Sequence, residues 1–211
     1  MKSLRVSETF CSVQGESTFA GLPCFFIRLL GCNLSCHYCD TAYARSTGEE
    51  RRIADLVEEA RTAGQPLVEI TGGEPLLQEG TAALAAALLK AGMRRVLIES
   101  NGSIDISPVP SEAILILDVK CPGSGAGGSF DAANLDRLRA HDEVKFVLSD
   151  DADYVWAREF VRQHRLPERC GAVLFSPAAG RMDPAELARR LTMDRLPVRL
   201  QVQLHRVLGV R

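Results

Sequence analysis

Cys24-Phe25-Phe26-Ile27-Arg28-Leu29-Leu30-Gly31-Cys32-Asn33-Leu34-Ser35-Cys36-His37-Tyr38-Cys39-Asp40-Thr41 is an apolar run that halts at a glycine and passes into a polar, cysteine-rich loop. The run follows Pro23 and holds one charge, Arg28, which suits a strand entering a core. The same arrangement recurs downstream. Residues 67–70 read as a strand ending in Thr71-Gly72-Gly73-Glu74-Pro75. Residues 95–98 run into Glu99-Ser100-Asn101-Gly102, and residues 114–117 into Asp118-Val119-Lys120. Further strands are expected over 6–13, 144–148, 172–175 and 198–202. Helical spacing of apolar residues marks 53–63, 78–91, 131–139, 152–164 and 184–191.

Alternating strands and helices predict an α/β fold with a parallel sheet and right-handed crossovers. About six such units fall short of an eight-fold closed barrel, so a partial, reduced TIM-like barrel is expected, one domain over residues 1–211. Ligands in such sheets bind beyond the carboxyl ends of the strands. Every unusual polar motif of this chain stands at one of those ends.

Composition narrows the partners. The chain has 211 residues, 46% hydrophobic and 25% charged, with a net charge of -2. No basic excess points to nucleic acid. The longest apolar stretch, 82–89, is too short to cross a bilayer. The first residues lack the hydrophobic segment of a signal peptide, so a reducing cytoplasm is expected. An odd cysteine count, seven, argues against a disulfide framework. Cys11, Cys24 and Cys170 are expected as small buried hydrophobes; Cys121 adjoins a candidate site residue and is given no role.

Cys32, Cys36 and Cys39 are different. Three free thiols in one loop invite metal binding or oxidation. A structural zinc site would need a fourth ligand, His37 or a distant cysteine. An electron-transfer cluster would normally use a fourth cysteine, and none follows at a helpful spacing. A four-iron cluster on three thiolates leaves one iron for a non-protein ligand, and that reading fits best.

Cys-X3-Cys-X2-Cys after a first strand resembles the radical S-adenosylmethionine superfamily, and Thr71-Gly72-Gly73-Glu74-Pro75 resembles its second signature. The resemblance implies a 4Fe-4S cluster on Cys32, Cys36 and Cys39 whose open iron binds S-adenosylmethionine. It also implies that the chemistry is carried by cluster and cofactor rather than by a catalytic side chain. Adjacent glycines let backbone approach a ligand closely.

Finer likeness is to the 7-carboxy-7-deazaguanine synthase family. It rests on Phe10-Cys-Ser-Val-Gln-Gly-Glu-Ser17, Gly21-Leu-Pro-Cys-Phe-Phe-Ile-Arg28, Gly31-Cys-Asn-Leu34 and Tyr38-Cys-Asp-Thr41. It continues in Glu99-Ser-Asn-Gly102, Asp118-Val-Lys-Cys-Pro122, Val144-Lys-Phe-Val147 and Gln203-Leu-His205. The family likeness implies conversion of 6-carboxy-5,6,7,8-tetrahydropterin to 7-carboxy-7-deazaguanine and ammonia, on the route to queuosine and other 7-deazapurines.

By that resemblance, Val13, Gln14, Gly15, Arg28, Thr71, Glu99 and Arg211 (through backbone) contact substrate. Arg28 faces the substrate carboxylate, a task that suits its planar fork, and Glu99 accepts from the pterin's N–H donors. Tyr38, Cys39, Asp40, Gly73, Asp118, Val119, Lys120, Ser176, Pro177, Ala178 and Ala179 match cofactor-binding positions. Thr41 matches a ligand of Mg²⁺, an ion that shares its shell with water and substrate. Asp118 and Val119 stand where some relatives read Ser-Pro, Ala178 and Ala179 offer no polar side chains, and Arg206 replaces a frequent lysine. The likeness further implies a homodimer and an electron donor such as flavodoxin, with no membrane partner. Two rivals from other classes are an activase for a glycyl-radical enzyme and a non-catalytic zinc or iron–sulfur module.

Overall fold

In a computed structural model that describes residues 2–210, nine strands form one mixed sheet. β1 (Ser3–Val13) lies antiparallel to β2 (Pro23–Leu29) and to the short edge strand β3 (Glu49–Arg52). From β2 onward the neighbours are parallel: β4 (Leu67–Gly72), β5 (Val96–Ser100), β6 (Ile114–Asp118), β7 (Glu143–Leu148), β8 (Ala172–Pro177) and β9 (Arg199–Leu200). The order is β3-β1-β2-β4-β5-β6-β7-β8-β9, and the two edge strands do not pair, so the barrel is open.

Helices α1 (Ile53–Ala63), α2 (Gly80–Lys90), α3 (Asp151–His164) and α4 (Pro184–Asp194) cover the outer face, and α5 (Leu204–Leu208) follows β9. Period-2 alternation of strand side chains sorts the core. Val68, Ile70, Val96 and Ile98 face α1 and α2. Val144, Phe146, Val173 and Phe175 face α3 and α4. Leu67, Leu97, Phe26 and Ile116 fill the bottom of the concave face. Above that apolar floor the same face turns polar, because the next positions along the strands are Arg28, Glu69, Thr71, Glu99, Asp118 and Lys145.

Three expected elements come out differently. Residues 131–139 form only a 3-10 turn, Ala132–Arg137. Buried Asn134 explains this: its amide donates to the carbonyls of Gly102 and Ile104 and accepts from Ile106 N–H, tying the segment to the preceding loop. The last strand shrinks from 198–202 to Arg199–Leu200, since the Gln201 and Gln203 side chains turn to Glu16 instead. The expected helix 78–91 starts at Gly80. Cys24 and Cys170 are buried as expected; Cys11 is not, lying exposed on β1.

Candidate active site

The cysteine loop is pinned from three sides. Gly31, at φ +100°, donates to Ala44 O at 2.8 Å, and its own carbonyl accepts from Glu74 N–H at 2.8 Å. His37 N–H donates to Ser124 O at 2.8 Å. Asn33 bonds Asn101 and Ser103 in the loop after β5. Gly73 has no room for a side chain: a Cβ there would lie 2.3 Å from Gly31 O and 2.6 Å from Cys32 Cβ. Gly73→Ala is therefore expected to push the cysteine loop outward. Anaerobic reconstitution should load this variant with less than half the wild-type iron and sulfide while circular dichroism stays native; full loading would refute the packing argument.

Glu74 was read only as part of a signature. It is fully buried and serves as a clamp, its carboxylate accepting from Leu76 N–H (2.9 Å), Ser100 Oγ (3.0 Å) and Asn101 N–H (2.7 Å). Burial raises its pKa, and those donors only partly oppose the effect.

A cavity of about 430 Å³ opens beside this loop. Cys32, Cys36 and Cys39, all half-buried, line it together with Val13, Gln14, Gly15, Arg28, Tyr38, Asp40, Thr41, Thr71, Gly73, Glu99, Asp118, Lys120, Ala178 and Ala179. The strand ends thus bring together nearly all the expected site residues. Val119 packs beneath α3 in the core, and Ser176 and Pro177 end β8 just behind the cavity wall. Arg211 lies outside the described residues.

Individual partners give the cavity its character. Arg28 uses Nε to reach Glu8 at 2.9 Å, and its guanidinium lies 5.7 Å from the Phe10 ring centroid. Tyr38 Oη donates to Val147 O at 3.3 Å, and burial pushes its pKa up. Asp40 pairs with Arg206 at 3.2 Å. The Thr41 hydroxyl caps no helix; it faces Cys39 Sγ at 3.8 Å. Asp118 meets Lys120 at 2.8 Å and Lys145 at 3.4 Å, and its Oδ1 is buried without a partner among the described residues. His205 packs against Gly15, where a Cβ would fall 1.9 Å from Nδ1.

Lys145 is the hub that residue-by-residue reading missed. Its side chain is 3% exposed and contacts Glu16, Glu99 and Asp118. Burial would lower its pKa, but those three carboxyls hold it well above the ordinary lysine value. Burial alone would raise Glu16; Lys145 and the Gln203 amide hold it at about 2. Glu99 moves the other way, raised by burial more than Lys145 can offset. Gln201 and Gln203 donate to Glu16 at 3.1 and 2.8 Å, so the C-terminal segment closes the open side of the barrel. One signal was available: Glu69 and Lys145 are charges inside apolar strands, a pattern that demands a buried partner.

The donor set fits the implied groups. Soft thiolates suit iron–sulfur ligation, and Gly73, packed directly on Gly31 and Cys32, brings its backbone to the cavity beside the thiols. Among the described residues no three His, Cys, Asp or Glu side chains close around a single ion; the thiols form an open rim on the cavity.

An open, mostly parallel sheet with a cysteine triad at the first parallel strand's end is the architecture of the Radical SAM superfamily, whose family model matches residues 26–140. Curated relatives sharpen this. The 7-carboxy-7-deazaguanine synthase of Koribacter versatilis is 44% identical, covering 96% of both chains. That of Chlorobaculum tepidum is 41% identical over 96% of this chain and 93% of its own. The chain belongs to the 7-carboxy-7-deazaguanine synthase family. The crystal structure of QueE from Escherichia coli shares the fold, with a TM-score of 0.79 over 96% of this chain and 95% of that one at 23% identity.

Proposed function

We propose that this protein converts 6-carboxy-5,6,7,8-tetrahydropterin to 7-carboxy-7-deazaguanine with release of ammonia, acting as one domain over residues 1–211. The observation that carries the reading is the concave polar face: Arg28, Thr71, Glu99, Asp118 and Lys145, from β2, β4, β5, β6 and β7, line one cavity with three free thiols.

In this reading Cys32, Cys36 and Cys39 hold a 4Fe-4S cluster. The backbone at Gly73, with Tyr38, Asp40, Asp118, Val119, Lys120 and the turn at Ser176, Pro177, Ala178 and Ala179, holds S-adenosylmethionine. When bound, this pair supplies radical chemistry able to remove an unactivated hydrogen. The chain's own residues bind, orient and shield. Arg28 offers a cation to the substrate carboxylate, already braced through Nε by Glu8. Glu99, held by Lys145, accepts from N–H groups of the pterin. Val13, Gln14, Gly15 and Thr71 shape the walls. Thr41, its hydroxyl uncommitted to a helix cap, is suited to a Mg²⁺ shared with the substrate carboxylate.

An external one-electron donor such as flavodoxin completes the system in the cytoplasm; no helix among the described residues is long and apolar enough to cross a membrane. Exposed Leu200, Val202, Val207, Leu208 and Val210 beside the β9 edge support a homodimer. The test is anaerobic incubation of cluster-loaded protein with reductant, S-adenosylmethionine and the carboxytetrahydropterin. A deazapurine chromophore and ammonia in equal amounts are expected. Consumption of S-adenosylmethionine without either product would overturn the assignment.

A further inference from the structure

Glu69 stands on β4 two residues before Thr71, hence on the concave face, 2% exposed and lining the cavity. Besides Asp40, which pairs with Arg206, four carboxyls line that cavity: Glu16, Glu69, Glu99 and Asp118. Lys145 serves three of them and Lys120 serves Asp118. Among the described residues no cation forms an ion pair with Glu69. Its one side-chain hydrogen-bond partner among the described residues is Gln14, whose orientation is fixed: the Gln14 carbonyl accepts from Glu16 N–H at 3.0 Å, so its amide N–H₂ is the group that meets Glu69 Oε2. No described residue donates a side-chain hydrogen bond to Glu69 Oε1. A buried carboxylate with one donor, no counter-cation and other carboxylates nearby is costly, whereas the neutral acid is not. A neutral acid also offers what a carboxylate cannot, an O–H donor.

We propose that Glu69 is a substrate-recognition residue acting as a neutral carboxylic acid, its O–H donating to an acceptor atom of the pterin while Gln14 holds the other oxygen. The inference rests on the reading that this cavity binds the carboxypterin. It assigns the cavity two complementary carboxyls, Glu99 accepting and Glu69 donating, so that a ring with donors and acceptors on adjacent atoms is recognised by both.

The groups facing Glu69 are Cys24 and Arg28 from β2, Glu16 from the β1–β2 turn, Glu99 from β5 and Lys145 from β7. Burial is the largest influence and raises its pKa; Glu99 and Glu16 raise it further, and Lys145 and Arg28 only partly oppose them. A raised pKa extends the neutral acid to higher pH than an ordinary carboxyl allows, so affinity is full below the raised value and falls as pH rises through it.

The experiment measures the dissociation constant of 6-carboxy-5,6,7,8-tetrahydropterin by anaerobic calorimetry from pH 6 to 10. Cluster-loaded protein with S-adenosylmethionine and no reductant is used, so that nothing turns over. Glu69→Gln keeps a neutral donor, and is expected to bind within about threefold of wild type at pH 6 and to lose the alkaline decline that wild type shows. Glu69→Leu is expected to bind roughly tenfold or more weakly throughout. Titrations of the ligand itself are common to all three proteins. The proposal is overturned if Glu69→Gln is tens of times weaker at pH 6, which would mean a carboxylate acceptor. It is equally overturned if Glu69→Gln parallels the wild-type decline, or if Glu69→Leu binds like wild type. Wild type that binds no pterin at any pH overturns the functional reading as well; tight wild-type binding with any of those variant results overturns this inference alone.

Discussion

Cys36→Ala is expected to abolish turnover and to leave the reconstituted protein with little bound iron and sulfide. The thiol is one of three on the cavity rim, and among the described residues the rim has no fourth cysteine: Cys24, Cys121 and Cys170 are buried and Cys11 is exposed on β1. A cluster on two thiolates has lost a third of its protein ligands. The fold should survive, since the loop is anchored by backbone bonds of Gly31 and His37 rather than by the thiol. Circular dichroism and thermal melting should therefore match wild type while iron content collapses. A variant that keeps about four irons per chain and forms product would remove the basis for assigning the triad.

Lys145→Met should do damage of another kind. It leaves Glu16, Glu99 and Asp118 around a buried site without their shared cation. Breaking a buried ionic cluster by removing one partner costs about 3–5 kcal/mol, which for a chain of this size corresponds to a melting temperature lower by roughly 10 °C. Glu99 also loses the group that positions it, so affinity for the carboxypterin should fall about tenfold or more. Lys145→Arg, which keeps the charge in a different shape, should recover part of both losses. If the methionine variant melts with wild type and binds pterin normally, the cluster is not the organiser described above.

The two effects bear on how the site could be read from the chain. Cysteine spacing and the Thr71-Gly72-Gly73-Glu74-Pro75 run were legible because such local patterns are costly to carry without a use. Strands were legible where apolar runs met glycine, and the parallel strands β2 and β4 to β8 were all anticipated, with ends shifted by a residue or two. The turn at 132–137 was misread as a helix because Asn134's partners, Gly102, Ile104 and Ile106, lie some thirty residues away. The edge strand β3 carries only charged residues and has no apolar alternation to reveal it. Glu69 and Glu16 were passed over as site residues for a related reason: one was a single polar position in a strand, the other part of a turn.

The amino-acid order by itself determined the ligand chemistry and the α/β alternation, since thiol spacing and hydrophobic period are properties of short segments. Tertiary structure decided which charges share one volume. Lys145 meets Glu16, 129 residues away, and Glu99, 46 residues away, through strand order and the alternation that turns every second side chain inward. Burial and the partners met there together set their protonation, because the cost of a charge depends on the water and the counter-charges left around it, and no single segment carries that information.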